Sequence, residues 1–332
     1  MQQTPGSARP SLCLVPSAVD HYVSIVLLDH ARMTNPKLID AVTLQLMLRS
    51  ENRPHLIDTR LVEEWAAATL PGAISLNVYD YFIPQSDPAG IATMRSAAHL
   101  AYSELEIDER SCVFFEQKTG MRSPRGLWFD EFIGRSNGAI LDGGVDAWLA
   151  AGFPVEPGGN GAGHISGNAP GHAQSMIAAI GSPTEHTVAG QSVNNINAHV
   201  ALVATIDEVL AADGVETVVL DVRRRSEFNG SFVHDCCARN GRVPDARFIF
   251  WEDVLSEGQY RDAGEMKKIA ALAGISPAQR VIIYCHRGAR AATVRYALLK
   301  AGFEDVAIFV GSWHEWAQRQ DLPVQLGEPA SE

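Results

Sequence analysis

The sequence contains two copies of one pattern, offset by roughly 165–170 residues. Each copy begins with a short apolar run that ends in Asp-x-Arg, at Asp58 and Arg60 in the first copy and at Asp221 and Arg223 in the second. A chain of 332 residues is too long for one ordinary core, and a duplicated pattern must build two similar ones. The sequence therefore predicts two domains of related architecture.

The rest of the pattern recurs in the same order in both copies. The matched segments are residues 70–73 and 243–246, 112–115 and 281–284, 141–144 and 309–312, Trp148 and Trp316, and 153–155 and 322–324. Short, wholly apolar strands that alternate with helical segments are typical of parallel sheets covered by helices on both faces. We therefore predict an α/β fold of two tandem domains, each a parallel sheet flanked by helices on both faces.

Two stretches lie outside the repeat. Residues 157–200 are rich in Gly, Ser, Asn and Pro and have little periodicity, which indicates a linker. Residues 1–37 have no clear periodicity either, and we expect an N-terminal extension that is poorly ordered or comes from a mis-chosen start. The first helix is expected over residues 38–49. The two domains then span residues 38–156 and 201–328.

The composition excludes several classes of partner. A formal net charge of −12 argues against a general nucleic-acid surface, because phosphate binding needs clustered cations. The longest apolar run near the N-terminus, residues 22–28, is far shorter than the ~20 residues of a membrane span. We expect no nucleic-acid partner, no membrane association and no export signal.

The cysteines form an irregular set without a CxxC pair. They are Cys13, Cys112, Cys236, Cys237 and Cys285. This spacing indicates neither a disulfide framework nor a zinc site, and it fits a reducing, cytoplasmic location. We expect no cofactor and no metal. Adjacent cysteines form only a strained disulfide, so Cys236 and Cys237 are interpreted as loop residues rather than a redox pair.

Cys285 stands at the junction of a strand and a helix. It follows the apolar run 281–284, and the residues after it place Ala291, Val294 and Leu298 on one helical face. Gly302 is the expected end of that helix. Unpaired amides and the helix dipole stabilise an anion at a helix N-terminus, which favours the thiolate form of Cys285.

The ordered set of motifs resembles the tandem rhodanese family of thiosulfate and 3-mercaptopyruvate sulfurtransferases, over about residues 40–326. The resemblance implies an inactive first copy and an active second copy that carries sulfur as a persulfide on Cys285. Glu116 occupies the first-copy position that Cys285 fills in the second. A carboxylate cannot attack and hold sulfur in this way, which agrees with an inactive first copy.

The loop after Cys285 is expected to bind the substrate. Its residues are His286, Arg287, Gly288, Ala289 and Arg290. Gly288 permits backbone conformations that aim several amides at one point, while the two arginines, with His286 as a third donor, supply positive charge. Four further residues are candidates for a supporting role, although Asp221 with Arg223 also reads as a structural ion pair and Trp313 as packing. They are Asp221, Arg223, Arg242 and Trp313.

The cationic loop favours thiosulfate as the donor. Mercaptopyruvate enzymes of the family carry small neutral residues there, and they tend to present an arginine and a histidine where this chain has Glu227 and Leu70. Two guanidiniums can bind a dianion and stabilise the departing sulfite. The alternative donor is 3-mercaptopyruvate, and the acceptor is expected to be cyanide or a thiol, thioredoxin included. We expect a monomer.

Two other classes of function remain as alternatives. Phosphatases and arsenate reductases with a related fold use a Cys-x5-Arg loop, but the sixth position after Cys285 is Ala291, and Arg290 comes one residue too early to close it. A non-catalytic binding module is the other alternative. Both remain weaker than sulfur transfer, because the loop is one residue short for phosphatase chemistry and a binding module would have kept Cys285 only by accident.

Overall fold

The computed structural model describes residues 37–82, 85–159 and 202–328. Almost all of the predicted extension and linker, together with Cys13, therefore lie outside the described residues. Each half of the described chain contains a five-stranded, wholly parallel sheet, which confirms the predicted fold class.

The first sheet has the strand order β1-β5-β4-β2-β3. Its strands are β1 (Leu38–Ile39), β2 (His55–Asp58), β3 (Ile74–Ser75), β4 (Cys112–Phe115) and β5 (Ala139–Leu141). The helices of this half are α1 (Ala41–Met47), α2 (Val62–Ala67), α3 (Pro88–Glu104), α4 (Ser123–Phe132) and α5 (Gly144–Ala150). Strands β2 and β4 are buried along their whole length, including the polar residues His55 and Asp58 at the two ends of β2.

The second sheet repeats the order as β6-β12-β11-β7-β8. Its strands are β6 (Val203–Ala204), β7 (Thr217–Asp221), β8 (Arg247–Phe248), β11 (Arg280–Tyr284) and β12 (Val306–Phe309), and a hairpin of β9 (Leu255–Ser256) and β10 (Gln259–Tyr260) lies apart from it. The helices are α6 (Ile206–Leu210), α7 (Arg225–Phe228), α8 (Ala263–Leu272), α9 (Ala289–Lys300) and α10 (Ser312–Gln318). Among the described residues, no helix is long and apolar enough to cross a bilayer.

The predicted first helix is wrong at its start. Residues 38 and 39 form β1, which pairs with β5, and the helix begins only at Ala41. Asp40 explains the boundary, because its side chain accepts a hydrogen bond from the Thr43 amide at 2.7 Å and caps α1. Apolar residues before a cap can belong to a strand, and periodicity alone does not separate the two.

The repeat extends to backbone conformation. Gly72 and Asp245 occupy matched turn positions and have φ values of +75° and +57°. The Asp-x-Arg pairs also match, with guanidinium-to-carboxylate distances of 2.7 Å for Arg60–Asp58 and 2.6 Å for Arg223–Asp221. Both pairs are buried, which supports the interpretation of this motif as a structural ion pair.

The two halves pack against each other through α4 and α9. Glu131 of α4 accepts hydrogen bonds from the Arg295 guanidinium at 2.8 Å and from the Tyr296 hydroxyl at 2.9 Å. The Thr293 hydroxyl donates to the Gly120 carbonyl at 2.8 Å. Because α9 begins at the Cys285 loop, this interface brings the first half up to that loop.

Candidate active site

The Cys285 thiol lies where β11 ends and α9 is about to begin, as predicted. The side chain is buried, with 1% of its surface exposed, and the Gly288 amide donates a hydrogen bond to Sγ at 3.0 Å. Gly288 caps α9 with φ at +86°, a conformation that favours glycine. The first turn of α9 leaves further amides without helical partners beside the sulfur, and such amides stabilise an anion.

The start of α10 holds the Cys285 loop in place. The Trp313 amide donates to the Cys285 carbonyl at 3.0 Å, and the His314 amide donates to the His286 carbonyl at 3.1 Å. The Cys285 amide donates to the Ser312 hydroxyl at 3.3 Å. Ser312 has φ at +54°, an unfavourable value for serine, and this strain is held at the site itself.

The matched loop of the first copy also directs backbone amides at one side chain, but that side chain is Glu116. Glu116 directly follows β4, and its Oε1 accepts hydrogen bonds from the amides of Gly120, Arg122 and Ser123 at 3.1, 2.9 and 2.8 Å. Burial raises the pKa of Glu116, although these amides act in the opposite direction. In the first copy a side-chain carboxylate therefore accepts from amides of the kind that stabilise an anion at a helix N-terminus.

A cavity of about 370 Å³ opens onto Cys285. Side chains of both halves line it, which the sequence did not indicate. The first half contributes Val78, Tyr79, Tyr81, Phe82, Met121 and Arg125, and the second contributes Arg224, Glu227, His234, Trp251, Cys285, His286, Arg287, Ala289 and Arg290. Four arginines and one glutamate thus line the cavity; of the arginines, Arg224 is exposed, and Arg290 alone has a carboxylate partner among the described residues.

Arg290 is paired, although the sequence suggested a free cation. Its guanidinium donates to both oxygens of Glu227, at 2.7 and 3.0 Å, and the His234 ring lies 2.8 Å from the same carboxylate. Burial acts to raise the pKa of Glu227, but the Arg290 and His234 contacts outweigh it and lower this pKa to about 2. The pair is therefore charged at neutral pH, and Glu227 offsets one of the site's positive charges.

Arg287 and Arg125 have no carboxylate partner among the described residues. Arg287 lies over the Phe82 ring at 4.8 Å, and its Nη2 is 3.4 Å from the sulfur of Cys236. Arg125 is buried, and its Nη1 has no hydrogen-bond partner. A Cβ added at Gly288 would lie 3.1 Å from this Nη1. The unpartnered donor therefore faces the Cys285 loop.

Arg125 remains a cation despite its burial. Burial lowers its pKa to about 10, while the neighbouring Cys285 and Tyr79 act to raise it. The faces of Trp128 and Phe129 lie 4.5 and 4.6 Å from the guanidinium carbon and compensate part of the lost hydration. A buried charge with an unused donor is costly unless something pairs with it, so this position suits an anionic ligand.

His286 does not supply the positive charge that the sequence suggested. Burial, and then the charges of His234, Arg287 and Arg290, lower its pKa to about 3, so the ring is neutral at neutral pH. The ring stacks on that of His234, with centroids 3.9 Å apart and planes 4° apart.

A family model described as a rhodanese-like domain matches residues 40–151 and 205–319 of this chain. The chain belongs to the rhodanese family. The "3-mercaptopyruvate sulfurtransferase" of Escherichia coli (strain K12) is 23% identical over 289 residues, which cover 86% of this chain and 94% of that one. The "Thiosulfate sulfurtransferase" of Azotobacter vinelandii is 24% identical, with 88% and 97% covered, and that of Corynebacterium glutamicum is 29% identical, with 65% and 66% covered.

Solved structures agree with this rhodanese fold. YnjE superposes with a TM-score of 0.66 at 20% identity and covers 88% of this chain and 69% of its own. A variant of EanB in complex with hercynine superposes with a TM-score of 0.70 at 18% identity, with 88% and 70% covered. At these identities the superpositions show a common fold.

The four supporting candidates do not line the cavity of this rhodanese. Arg223 is paired with Asp221 and lies over the Trp313 ring at 4.6 Å. Arg242 lies over Phe228 and donates to its carbonyl, away from the thiol. A supporting role for these four residues stays a prediction, and none of them lines the cavity itself. Arg223 thus contacts both Asp221 and Trp313, and the Tyr284 hydroxyl donates to Asp221 at 2.6 Å. These contacts stabilise the segment that leads into Cys285.

Sequence reasoning missed two groups of residues in this rhodanese. Arg125 and the aromatic residues of the cavity, Tyr79, Tyr81 and Phe82, belong to the first copy, and the packing of α4 on α9 brings that copy to Cys285. The one available signal was an arginine inside an otherwise apolar helical segment, residues 123–129. The second group is the ion pair of Arg290 with Glu227 and the contact of His234 with the same carboxylate. Glu227 and Arg290 are far apart in sequence, so no local pattern links them.

Proposed function

We propose that this chain transfers sulfane sulfur from thiosulfate to a thiophilic acceptor such as cyanide through a persulfide on Cys285. The observation that carries the proposal is the cavity in which the Cys285 thiol faces Arg125 and Arg287, two guanidiniums without a carboxylate partner in the described chain. Two unpaired cations beside a nucleophilic sulfur suit a small dianion.

The reaction has two steps. The Cys285 thiolate attacks the outer sulfur of thiosulfate, the S–S bond of thiosulfate breaks, and its electron pair leaves with sulfite. A new S–S bond joins this sulfur to Cys285, which gives the enzyme persulfide. Cyanide then attacks the terminal sulfur, thiocyanate departs, and the electron pair of the enzyme S–S bond returns to Cys285 as thiolate.

The surroundings of Cys285 support each step. The Gly288 amide, 3.0 Å from Sγ, stabilises the attacking thiolate, and the start of α9 stabilises the terminal sulfur of a persulfide. Arg125 and Arg287 stabilise the charge that develops on the departing sulfite. Burial of the site strengthens these interactions, because little water screens them.

The paired charges of Glu227 and Arg290 bear on the choice of donor. Sulfurtransferases that use mercaptopyruvate must bind its single carboxylate and ketone, and an arginine at the position of Glu227 tends to serve them. Here that position carries a carboxylate, ionised because its pKa is lowered to about 2. Glu227 therefore supplies no cation for the carboxylate of mercaptopyruvate, and its pairing occupies Arg290 as well, whereas Arg125 and Arg287 still suit a compact dianion.

A side-by-side assay tests the proposal. We expect the purified chain to transfer sulfur to cyanide from thiosulfate with a kcat/KM at least about tenfold higher than from 3-mercaptopyruvate, which corresponds to ~1.4 kcal/mol. A reversed preference would reject the donor and favour the mercaptopyruvate reading. Hydrolysis of a phosphate ester, measured in parallel, should be absent, and its presence with no sulfur transfer would move the chain to the phosphatase class.

A further inference from the structure

Two cysteines and two histidines meet beside the Cys285 loop. One ligating atom from each of Cys236, Cys237, His286 and His314 lies within 4.8 Å of the others. The Nε2 atom of His286 is 3.3 Å from Sγ of Cys236 and 3.5 Å from Sγ of Cys237. Bond lengths of about 2.0–2.3 Å to a tetrahedral ion imply ligand atoms roughly 3.3–3.8 Å apart, so small side-chain shifts would complete such a site.

The four side chains come from three segments that hydrogen bonds hold in position. The Cys237 amide donates to the His234 carbonyl at 2.8 Å, and the Gln318 amide group donates to the Cys236 carbonyl at 3.0 Å. The Arg239 guanidinium binds the Leu322 carbonyl at 2.7 Å. These bonds fix the cysteine loop on α10, so the cluster does not depend on a freely moving segment.

Contacts with neighbouring groups also fix the positions of His286 and His314. The His314 amide donates to the His286 carbonyl at 3.1 Å, and their ring centroids are 6.0 Å apart. The His234 ring stacks on the ring of His286 and lies 2.8 Å from the Glu227 carboxylate, which holds it in place. The His286 ring can therefore turn little, and its Nε2 points at the two sulfurs.

Unused bonding capacity also points to a ligand here. The Nδ1 atom of His314 is buried and has no hydrogen-bond partner among the described residues. Cys236 and Cys237 are free cysteines. A buried nitrogen without a hydrogen-bond partner is energetically unfavourable, and coordination of an ion by this nitrogen would satisfy it.

We propose that Cys236, Cys237, His286 and His314 bind one Zn²⁺ ion beside Cys285. Two sulfurs and two imidazole nitrogens are a donor set typical of tetrahedral zinc, with every position filled by protein. Binding releases the two thiol protons to solvent, and the ion bonds to the two thiolates and two neutral rings without any change of oxidation state. The sequence did not predict this site, because the spacing of the four ligands matches no zinc-binding motif.

Metal titration of the reduced protein tests the site without relying on activity. We expect equilibrium dialysis against Zn²⁺, with the bound metal measured by mass spectrometry, to give one ion per chain. Co²⁺ should bind with the intense d–d absorption of a tetrahedral site and a thiolate-to-cobalt charge-transfer band. The double variant Cys236→Ser, Cys237→Ser should lose the charge-transfer band and bind at least about a hundredfold more weakly.

Two further variants make the outcome decisive. Cys285→Ser should keep the ion and the cobalt spectrum, since Cys285 is outside the ligand set, while His314→Gln should weaken binding at least about tenfold. Cys112→Ser, at a buried position in the first half, is the matched cysteine control. Binding that survives in the double cysteine variant, or is lost in Cys285→Ser, would place the metal at the catalytic thiol and overturn the proposal, as would no binding at all.

Discussion

The Arg290 guanidinium forms a two-pronged ion pair with Glu227, with N–O distances of 2.7 and 3.0 Å, at the wall of the Cys285 cavity. The carboxylate is almost fully buried, so the pair holds the start of α9 against α7. The two arginines of the loop therefore differ in their partners. Arg290 is bound to Glu227, whereas Arg287 is available to bind a ligand.

This ion pair predicts a specific loss of stability in acid. The pKa of Glu227 is lowered to about 2, below its ordinary value of 4.5, so its ionised form favours folding. The contribution, roughly 3 kcal/mol, is fully present above pH ~4.5 and disappears as the pH falls through about 2. Urea unfolding at several pH values should show this acid-dependent part in the parent and not in Glu227→Gln. An equal acid dependence of both would contradict the lowered pKa.

The two loop arginines should differ in what they lose. Arg287→Ala should cost about 2–4 kcal/mol of transition-state stabilisation with thiosulfate and leave the free energy of unfolding almost unchanged. Arg290→Ala should lower both, because it leaves Glu227 buried without its partner. Steady-state kinetics and urea unfolding on the same preparations separate the two effects. Unfolding free energies that fall equally in both variants would refute the distinction.

Arg125 should matter for sulfur transfer although it belongs to the first half and Cys285 to the second. Arg125→Gln removes the unpartnered donor near Gly288 and should reduce kcat/KM for thiosulfate about 10²–10³-fold. Arg125→Lys keeps the charge and should recover part of this loss. Arg53→Gln changes an exposed arginine of the same half and is the matched control. If Arg125→Gln keeps the parent kcat/KM while its melting temperature falls, the residue is structural only.

A comparison of Gly288 with Gly302 tests whether the amides around Sγ of Cys285 are needed for catalysis. Both have positive φ, at +86° and +90°, so alanine costs about 1 kcal/mol of stability at either position. At Gly288 the new Cβ also meets Arg125 and disturbs the amide that binds Cys285, whereas nothing lies within 4 Å at Gly302. Gly288→Ala should lower kcat roughly 10- to 100-fold, and Gly302→Ala should not. Equal kcat values for the two variants would show that these amides are not needed.

The sequence predicted those features that depend on local pattern. Cys285 at a strand end, Gly288 before a helix and Gly302 after it follow from periodicity and from the conformational preferences of glycine, and the structure has all three. The duplicated order of elements predicted the two sheets. The limit of periodicity appears at residues 38 and 39, where an apolar pair before the Asp40 cap joins a strand instead of a helix.

The rest depends on contacts between distant segments, which a single sequence does not reveal. Arg125 reaches the site because α4 of one copy packs on α9 of the other. The contacts of Arg290 with Glu227 and of His286 with Cys236 form only where the folded chain brings the Cys285 loop against distant segments. These contacts change the chemistry, because they fix which cations remain free for a substrate.

The central claim is that Cys285 carries the transferred sulfur. Incubation with thiosulfate alone, followed by intact-mass measurement, should add the mass of one sulfur atom to the chain, and cyanide should remove it. The gain should be absent in Cys285→Ser, since oxygen cannot form a persulfide, and present in Cys236→Ser and Cys237→Ser. A sulfur gain and turnover that persist in Cys285→Ser and vanish with Cys236 or Cys237 would contradict the account and place the carrier on the neighbouring loop.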